Sequence, residues 1–104
     1  MTTDAHYVYY LADPRDGEVR WVGITINPVQ RFFGHYSPAH GGNPNAGYRS
    51  WLDDMRASGH RPVMGILEIL RDVPTPTLKH AEKKWMCLMR KQGYKLTNRR
   101  TPRT

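Results

Sequence analysis

Three side chains of this 104-residue chain combine a reactive group with a position from which it could act on a phosphate or a metal ion. Arg31 carries a guanidinium, which binds two phosphate oxygens at once and stays charged at any useful pH. His35 follows four residues later, so the two side chains would share one face of a helix. Glu82 borders an apolar stripe, where a carboxylate is unfavourable unless it has a partner, and its oxygens are ligands that hard divalent cations prefer.

Each of these residues also has an ordinary structural explanation. Arg31 could be a solvated arginine on a helix surface. His35 could interact with the last carbonyl groups of its helix. Glu82 could form an ion pair with a residue one turn away, or with Arg31. The elements that position these side chains must therefore decide between the two interpretations.

The charge of the chain favours a polyanionic partner. The formal net charge is +7, which is typical of proteins that bind nucleic acid, although a merely basic surface is the alternative. From Val73 onwards the only carboxylate side chain is that of Glu82. The predicted nucleic-acid contacts are Arg31, Lys79, Lys83, Lys84, Arg99 and Arg100.

Cysteine content and hydropathy exclude several classes of protein. Cys87 is the single cysteine, so no internal disulfide and no cysteine-based zinc cage can form. No signal-peptide pattern and no apolar run of membrane-spanning length is present, so we expect a cytoplasmic or nucleoid-associated protein without a membrane partner. A zinc protein is an alternative to a nucleic-acid-binding protein, but no familiar zinc-ligand spacing occurs among His35, His40, His60, His80 and Cys87.

Two short apolar and aromatic segments predict the hairpin around which the chain is organised. Residues 6–12 and 19–24 are rich in valine, isoleucine and aromatic residues, and they flank Asp-Pro and Asp-Gly turn dipeptides. Alternation along the strands places Tyr9 and Trp21 on the same face, where the two rings can lie side by side.

The remaining patterns predict three helices and one more strand. Asn27 and Pro28 suit the start of a helix that ends near residue 35, and residues 37–45 form a loop. Apolar residues at i, i+3, i+4 and i+7 predict a second helix, whose stripe is Tyr48, Trp51, Leu52 and Met55.

The apolar run 63–70 indicates a central strand buried on both faces. A last helix from Thr75-Pro76 to about residue 92 has the predicted apolar stripe Leu78, Ala81, Trp85 and Leu88, and Gly93 ends it. Residues 94–98 could return briefly to the sheet.

These elements occur in the order β-β-α-α-β-α. We therefore predict an α/β fold with a small, mainly antiparallel three-stranded sheet and flanking helices. Residues 1–98 would form the domain and residues 99–104 a basic tail.

The hairpin resembles the signature of the GIY-YIG nucleases. The triplets are Tyr7-Val8-Tyr9 and Trp21-Val22-Gly23, with eleven residues between Tyr9 and Trp21. Further matches follow in order along the chain. Arg31 lies eight residues after Gly23, where this family has its phosphate-binding arginine. The segments 81–85 and 93–98 are similar to the family patterns Ala-Glu-x-x-Trp and Gly-x-x-Leu-x-Asn.

The resemblance implies a metal-dependent endonuclease that hydrolyses DNA phosphodiester bonds. It implies that Glu82 binds one Mg²⁺ or Mn²⁺ and that Arg31 stabilises charge on the phosphate. Tyr9 would orient or activate water, with His35 and Asn98 assisting.

Trp21 departs from the family pattern, which has a second tyrosine at this place. An indole donates one hydrogen bond and accepts none, so it cannot relay a proton as a phenol can. The alternative function is therefore a catalytically silent nucleic-acid-binding module on the same scaffold. Neither function defines the substrate structure, the biological role or the oligomeric state.

Overall fold

The computed structural model describes residues 5–36 and 45–98, and it has the predicted element order. The predicted tail and most of the predicted loop, residues 99–104 and 37–44, lie outside the described residues. The elements are β1 (Ala5–Asp13), β2 (Glu18–Thr25), α1 (Pro28–Tyr36), α2 (Ala46–Ala57), β3 (Val63–Arg71) and α3 (Thr75–Lys91).

The predicted hairpin is present, and its register places the two aromatic side chains as expected. β1 and β2 are antiparallel, with Tyr9 opposite Gly23 and Leu11 opposite Trp21. The turn is closed by a 2.7 Å bond from the N–H of Gly17 to the carbonyl of Asp13, and Gly17 has a φ of 74°. Such a positive φ favours glycine at this place in the turn.

The prediction that β3 is a central strand is wrong. The strand order is β2-β1-β3, so β1 is central and β3 is an edge strand. Val63, Ile66 and Ile69 are exposed on it. The pairing with β1 shifts where Val8 faces Glu68 and Tyr9 faces Ile66. Because this irregularity changes the phase of the side chains, the run of apolar residues does not report burial on both faces.

The sheet lies between two apolar clusters. On one face α3 packs through Ala81, Met86 and Met89 against Val8 and Val22. On the other face α1 and α2 cover the strands, and this cluster contains Tyr9, Leu11, Tyr48, Trp51, Leu52 and Met55, with Phe32 and Trp21 packed against it.

The four predicted stripe residues of α2 are buried, whereas the predicted stripe of α3 is partly wrong. Leu88 is exposed, and Met86 and Met89 are buried in its place. Among the described helices, none combines the length and the apolar character that crossing a membrane requires.

Capping side chains set the start of the first two helices. The Oδ1 of Asn27 accepts a bond from the N–H of Gln30 at 3.1 Å, as the sequence predicts. The Oδ1 of Asn45 accepts from the N–H of Tyr48 at 2.9 Å. Pro74 precedes α3 and provides no side-chain cap.

A buried carboxylate joins the hairpin turn to α2. Asp13 is 2 % exposed, and its Oδ2 accepts bonds from Trp51 Nε1 at 3.0 Å and from Arg15 Nη2 at 2.7 Å. Arg15 also reaches Asp54 of α2 at 3.0 Å. The hydrogen bonds from Arg15 are the main reason that the pKa of Asp13 lies well below its ordinary value. This network fixes α2 against the end of β1 that lies nearest the turn.

Candidate functional site

Tyr9 lies at the centre of the candidate site, and a glycine allows it to do so. The ring crosses the neighbouring strand directly over Gly23, where an added Cβ would lie 2.6 Å from the Tyr9 hydroxyl oxygen. No side chain larger than hydrogen fits there without moving the ring. The adjacent Tyr10 crosses Gly65 of β3 in the same way, and it packs against the cluster on the α3 face. Two successive tyrosines thus serve opposite faces of the sheet.

The hydroxyl of Tyr9 accepts a hydrogen bond from Trp21. The distance from Trp21 Nε1 to the Tyr9 hydroxyl oxygen is 3.1 Å. Because an indole nitrogen only donates, the direction of this bond is fixed, and the Tyr9 oxygen is its acceptor. A phenol at the Trp21 position would not impose that direction.

Burial raises the pKa of Tyr9 to about 12. The Trp21 bond and the positive charge of Arg31 act in the opposite direction, and the negative charge of Glu82 adds to the rise. Tyr9 is therefore a neutral hydrogen-bond donor at neutral pH in this structure.

Charges from two other elements act on Tyr9. Arg31 is on α1 and Glu82 is on α3, yet the Tyr9 hydroxyl experiences the electrostatic field of both. α1 lies on the same face of the sheet as Tyr9, whereas α3 packs on the opposite face. Arg31 is exposed and available to an anion, whereas Tyr9 is 2 % exposed.

Glu82 is half-buried and makes no ion pair or hydrogen bond within the described residues. No fully buried side-chain oxygen or nitrogen in the described part lacks a hydrogen bond, so the Glu82 oxygens retain access to solvent. Burial raises the pKa of this carboxyl group above its ordinary value. A bridge from Glu82 to Arg31 is absent, which removes one of the structural explanations for this residue.

This donor set fits only one kind of metal site. Among the side chains that the structure describes, which do not include those of residues 33–36, no three of histidine, cysteine, aspartate or glutamate lie close enough together to hold an ion. A partly hydrated carboxylate standing alone suits a cation that keeps most of its water, as Mg²⁺ does.

Asn98 contacts the main chain of β2. Its Oδ1 accepts from the N–H of Val22 at 2.9 Å, and its Nδ2 donates to the carbonyl of Val22 at 2.8 Å. The side-chain hydroxyl of Thr97 bonds to the carbonyl of Arg20 at 2.9 Å. Residues 97 and 98 thus cover the outer edge of β2 on either side of Trp21. Asn98 is therefore bonded to the residue that follows the indole-bearing Trp21 on β2.

The predicted basic contacts do not all face the same way. Lys79 is exposed and lies one turn before Glu82. Lys84 forms an ion pair with Glu68 of β3 at 3.1 Å and lies 5.3 Å from the ring centre of Trp85. Since Lys84 and Glu82 are two positions apart, they point to different sides of α3.

The remaining predicted site residues are His35, Lys83, Arg99 and Arg100, and of these only Lys83 has a described side chain. His35 lies within α1, but its side chain is outside the described part of the structure. Arg99 and Arg100 are outside the described residues altogether. Lys83 is half-buried on α3 beside Glu82.

Sequence reasoning missed Tyr48 as a residue of this site. Its ring centre lies 4.6 Å from that of Trp21, with 48° between the ring planes. Burial is the main reason that the pKa of Tyr48 lies above its ordinary value, and the charges of Tyr9 and Arg31 also act on it. Helical spacing identifies Tyr48 as a core residue, but only the packing of α2 against β2 places it under the indole.

Comparison with protein-family models, with curated proteins and with solved structures gave no match for this chain.

Proposed function

We propose that this protein is a metal-dependent endonuclease that hydrolyses DNA phosphodiester bonds with a single Mg²⁺ or Mn²⁺ ion. One observation carries the proposal: the half-buried Glu82 has no ion pair or hydrogen bond among the described residues, and its charge and that of Arg31 both act on Tyr9. These are also positions at which the sequence resembles the GIY-YIG nucleases. Such an enzyme would work in the cytoplasm or at the nucleoid, where its substrate is found.

The state of Glu82 supports the proposal. A half-buried carboxylate with a raised pKa and no ion-pair partner among the described residues destabilises the fold. Such carboxylates are typical of functional sites. Glu82 would hold the cation together with water. A bound divalent ion would supply stabilisation of negative charge on the phosphate and on the leaving oxygen.

Arg31 and the net charge of +7 supply the affinity for DNA. The exposed guanidinium would bind the phosphate that is cleaved and stabilise the charge that develops on it. Lys79 and Lys83 lie near Glu82 on α3 and would contact neighbouring phosphates, which adds affinity with little sequence information. Arg99 and Arg100 would extend these contacts.

Tyr9 would act as a hydrogen-bond donor in this enzyme. Its pKa of about 12 keeps the phenol protonated near neutral pH, and Trp21 already occupies the acceptor side of the hydroxyl. Tyr9 would orient the attacking water or a phosphate oxygen as a neutral phenol. Removal of a proton from water would need another acceptor, and His35 is the candidate that the sequence offers.

The same two features favour a second candidate function, a nucleic-acid-binding module without catalysis. Trp21 stands where a phenol would relay a proton, and Tyr9 is far from ionisation at neutral pH. The basic surface is common to both functions, so binding alone does not separate them.

Nicking of supercoiled plasmid tests the proposal. Wild type is compared with Glu82→Gln in Mg²⁺, in Mn²⁺ and in EDTA. Glu68→Gln is the matched control, because the Glu68 carboxylate is already engaged by Lys84 and Trp85. We expect nicking by wild type and by the control, dependent on metal, and its loss in Glu82→Gln.

Three other outcomes would each change the proposal. Equal nicking by wild type and Glu82→Gln would show that Glu82 does not hold the metal. Retained DNA binding without nicking, in both wild type and Trp21→Tyr, would support the silent module. Nicking that is gained only in Trp21→Tyr would show that the tryptophan itself suppresses the reaction.

A further inference from the structure

Burial, the helix cap and a neighbouring hydrogen bond fix the position of Tyr48. It lies in the first turn of α2, is 0 % exposed, and donates its N–H to the capping side chain of Asn45. Asn45 in turn donates to the carbonyl of Thr97 at 2.7 Å. One turn further along α2, Trp51 is bonded to the buried Asp13. The Tyr48 ring is therefore a fixed surface.

The main chain of β2 does not by itself fix the orientation of the Trp21 indole. β2 is an edge strand, and the indole is only half-buried. A tryptophan side chain has several staggered rotamers, and only an orientation that points Nε1 towards Tyr9 can form the 3.1 Å bond. Some neighbour must select that orientation.

We propose that Tyr48 is a positioning residue, whose ring supports the indole of Trp21 and so holds its N–H on the hydroxyl of Tyr9. The ring centres are 4.6 Å apart and the planes are tilted by 48°, which is a favourable aromatic contact. α2 thus supplies the support that lets a tryptophan serve at this position of β2.

The influence of Tyr9 and Arg31 on the Tyr48 phenol agrees with this placement. The part of the inference that concerns catalysis rests on the proposed function, whereas the positioning of the indole does not.

The test uses two substitutions that differ in one property. Tyr48→Phe keeps the ring and removes the hydroxyl, whereas Tyr48→Leu removes the ring. The readout is the indole N–H resonance of Trp21 in a ¹H–¹⁵N correlation spectrum, assigned with Trp21→Phe. Trp85 is the internal control, because its indole bonds to Glu68 at 2.8 Å and packs with the cluster on the opposite face.

We expect Tyr48→Leu to shift the Trp21 resonance and to increase its exchange with water by about tenfold, the value of one aromatic contact. Tyr48→Phe keeps the ring, so it should shift the Trp21 resonance less than Tyr48→Leu does, and the Trp85 signal should not move in either variant. An unmoved Trp21 signal in a folded Tyr48→Leu protein overturns the inference.

A measurement on the unaltered protein covers the case in which Tyr48→Leu does not fold. Cross-relaxation between the ring protons of Tyr48 and Trp21 must be observed if the rings are in contact, and its absence overturns the inference. Plasmid nicking provides the catalytic part of the test: the turnover rate should fall in Tyr48→Leu and recover in Tyr48→Phe. Absence of nicking in the wild type refutes the nuclease, while the resonance of Trp21 still decides the role of Tyr48.

Discussion

Gly23→Ala is the most direct test of how the candidate site is built. The new Cβ would lie 2.6 Å from the hydroxyl oxygen of Tyr9 and 2.7 Å from the ring carbon that bears it. Because these atoms belong to a ring buried at 2 % exposure, the conflict cannot be relieved by a small movement into solvent. Tyr9 must rotate or β2 must move away from it. In either case the bond from Trp21 is lost.

The expected loss of stability combines two effects. Forcing an extra methyl group into a packed site costs about 1–3 kcal/mol. Loss of one neutral hydrogen bond adds about 0.5–1.5 kcal/mol. A total of about 2–4 kcal/mol would lower Tm by roughly 10–25 °C for a domain of this size. Thermal unfolding followed by circular dichroism measures it directly.

Two glycines provide matched controls. At Gly47 of α2 the added Cβ meets only the Asn45 side chain, at 3.4 Å, so Tm of Gly47→Ala should stay close to that of wild type. Gly65→Ala displaces the Tyr10 ring, so it should lower stability as strongly as Gly23→Ala does. Only Gly23→Ala should move the indole resonance of Trp21. A Gly23→Ala protein with the Tm and the Trp21 resonance of wild type would refute the packing described here.

Three further predictions concern carboxylates and the sheet edge. Hydrogen bonding keeps the pKa of Asp13 below its ordinary value, so its contribution to folding is present above pH about 4 and lost as pH falls further. We therefore expect a steep fall in Tm below that pH, and a shallower one in Asp13→Asn. Burial raises the pKa of Glu82, so the ionised form opposes folding; Glu82→Gln should raise Tm at pH 8 and have less effect at pH 4. A Tm for Glu82→Gln below that of wild type at pH 8 would contradict this account. Asn98→Ala removes both bonds to Val22 and should lower the free energy of unfolding by about 1–3 kcal/mol in urea titrations. Asn98→Ala should also speed hydrogen exchange of the Val22 amide. An unchanged exchange rate would disprove this prediction.

Local patterns predicted much of the fold. Turn dipeptides and strand alternation predicted the hairpin, and therefore the neighbouring positions of Tyr9 and Trp21. The capping residue predicted the start of α1. The stripe of α2 was correct because its four residues face one cluster. β3 was misplaced because an apolar run has the same appearance in a central strand and in an edge strand. The irregularity of β3 near Leu67 arises from its pairing with β1, and a local sequence pattern carries no information on that pairing.

The site was predicted less completely than the fold. The sequence alone could not predict that Glu82 is unpaired. Several lysines lie close to it along α3, and each of them could have formed an ion pair with it. Asn98 was expected to serve the reaction, but its bonds to Val22 depend on how residues 94–98 cross the edge of β2. Tyr48 was missed because a buried aromatic residue on a helix says nothing about which strand residue lies above it.

The covering of β2 by residues 97 and 98 also determines when this region can form during synthesis. The bonds between Asn98 and Val22 join positions 76 residues apart, and the bond from Thr97 to Arg20 spans 77. The ribosome delivers the chain from its N-terminus, so a nascent chain that has emerged as far as Gly93 contains Tyr9, Arg31 and Glu82 but leaves the outer edge of β2 open. An open edge is a template for pairing with other chains. Residues 97 and 98 are therefore added to the candidate site last, and they also cover the β2 edge of the sheet.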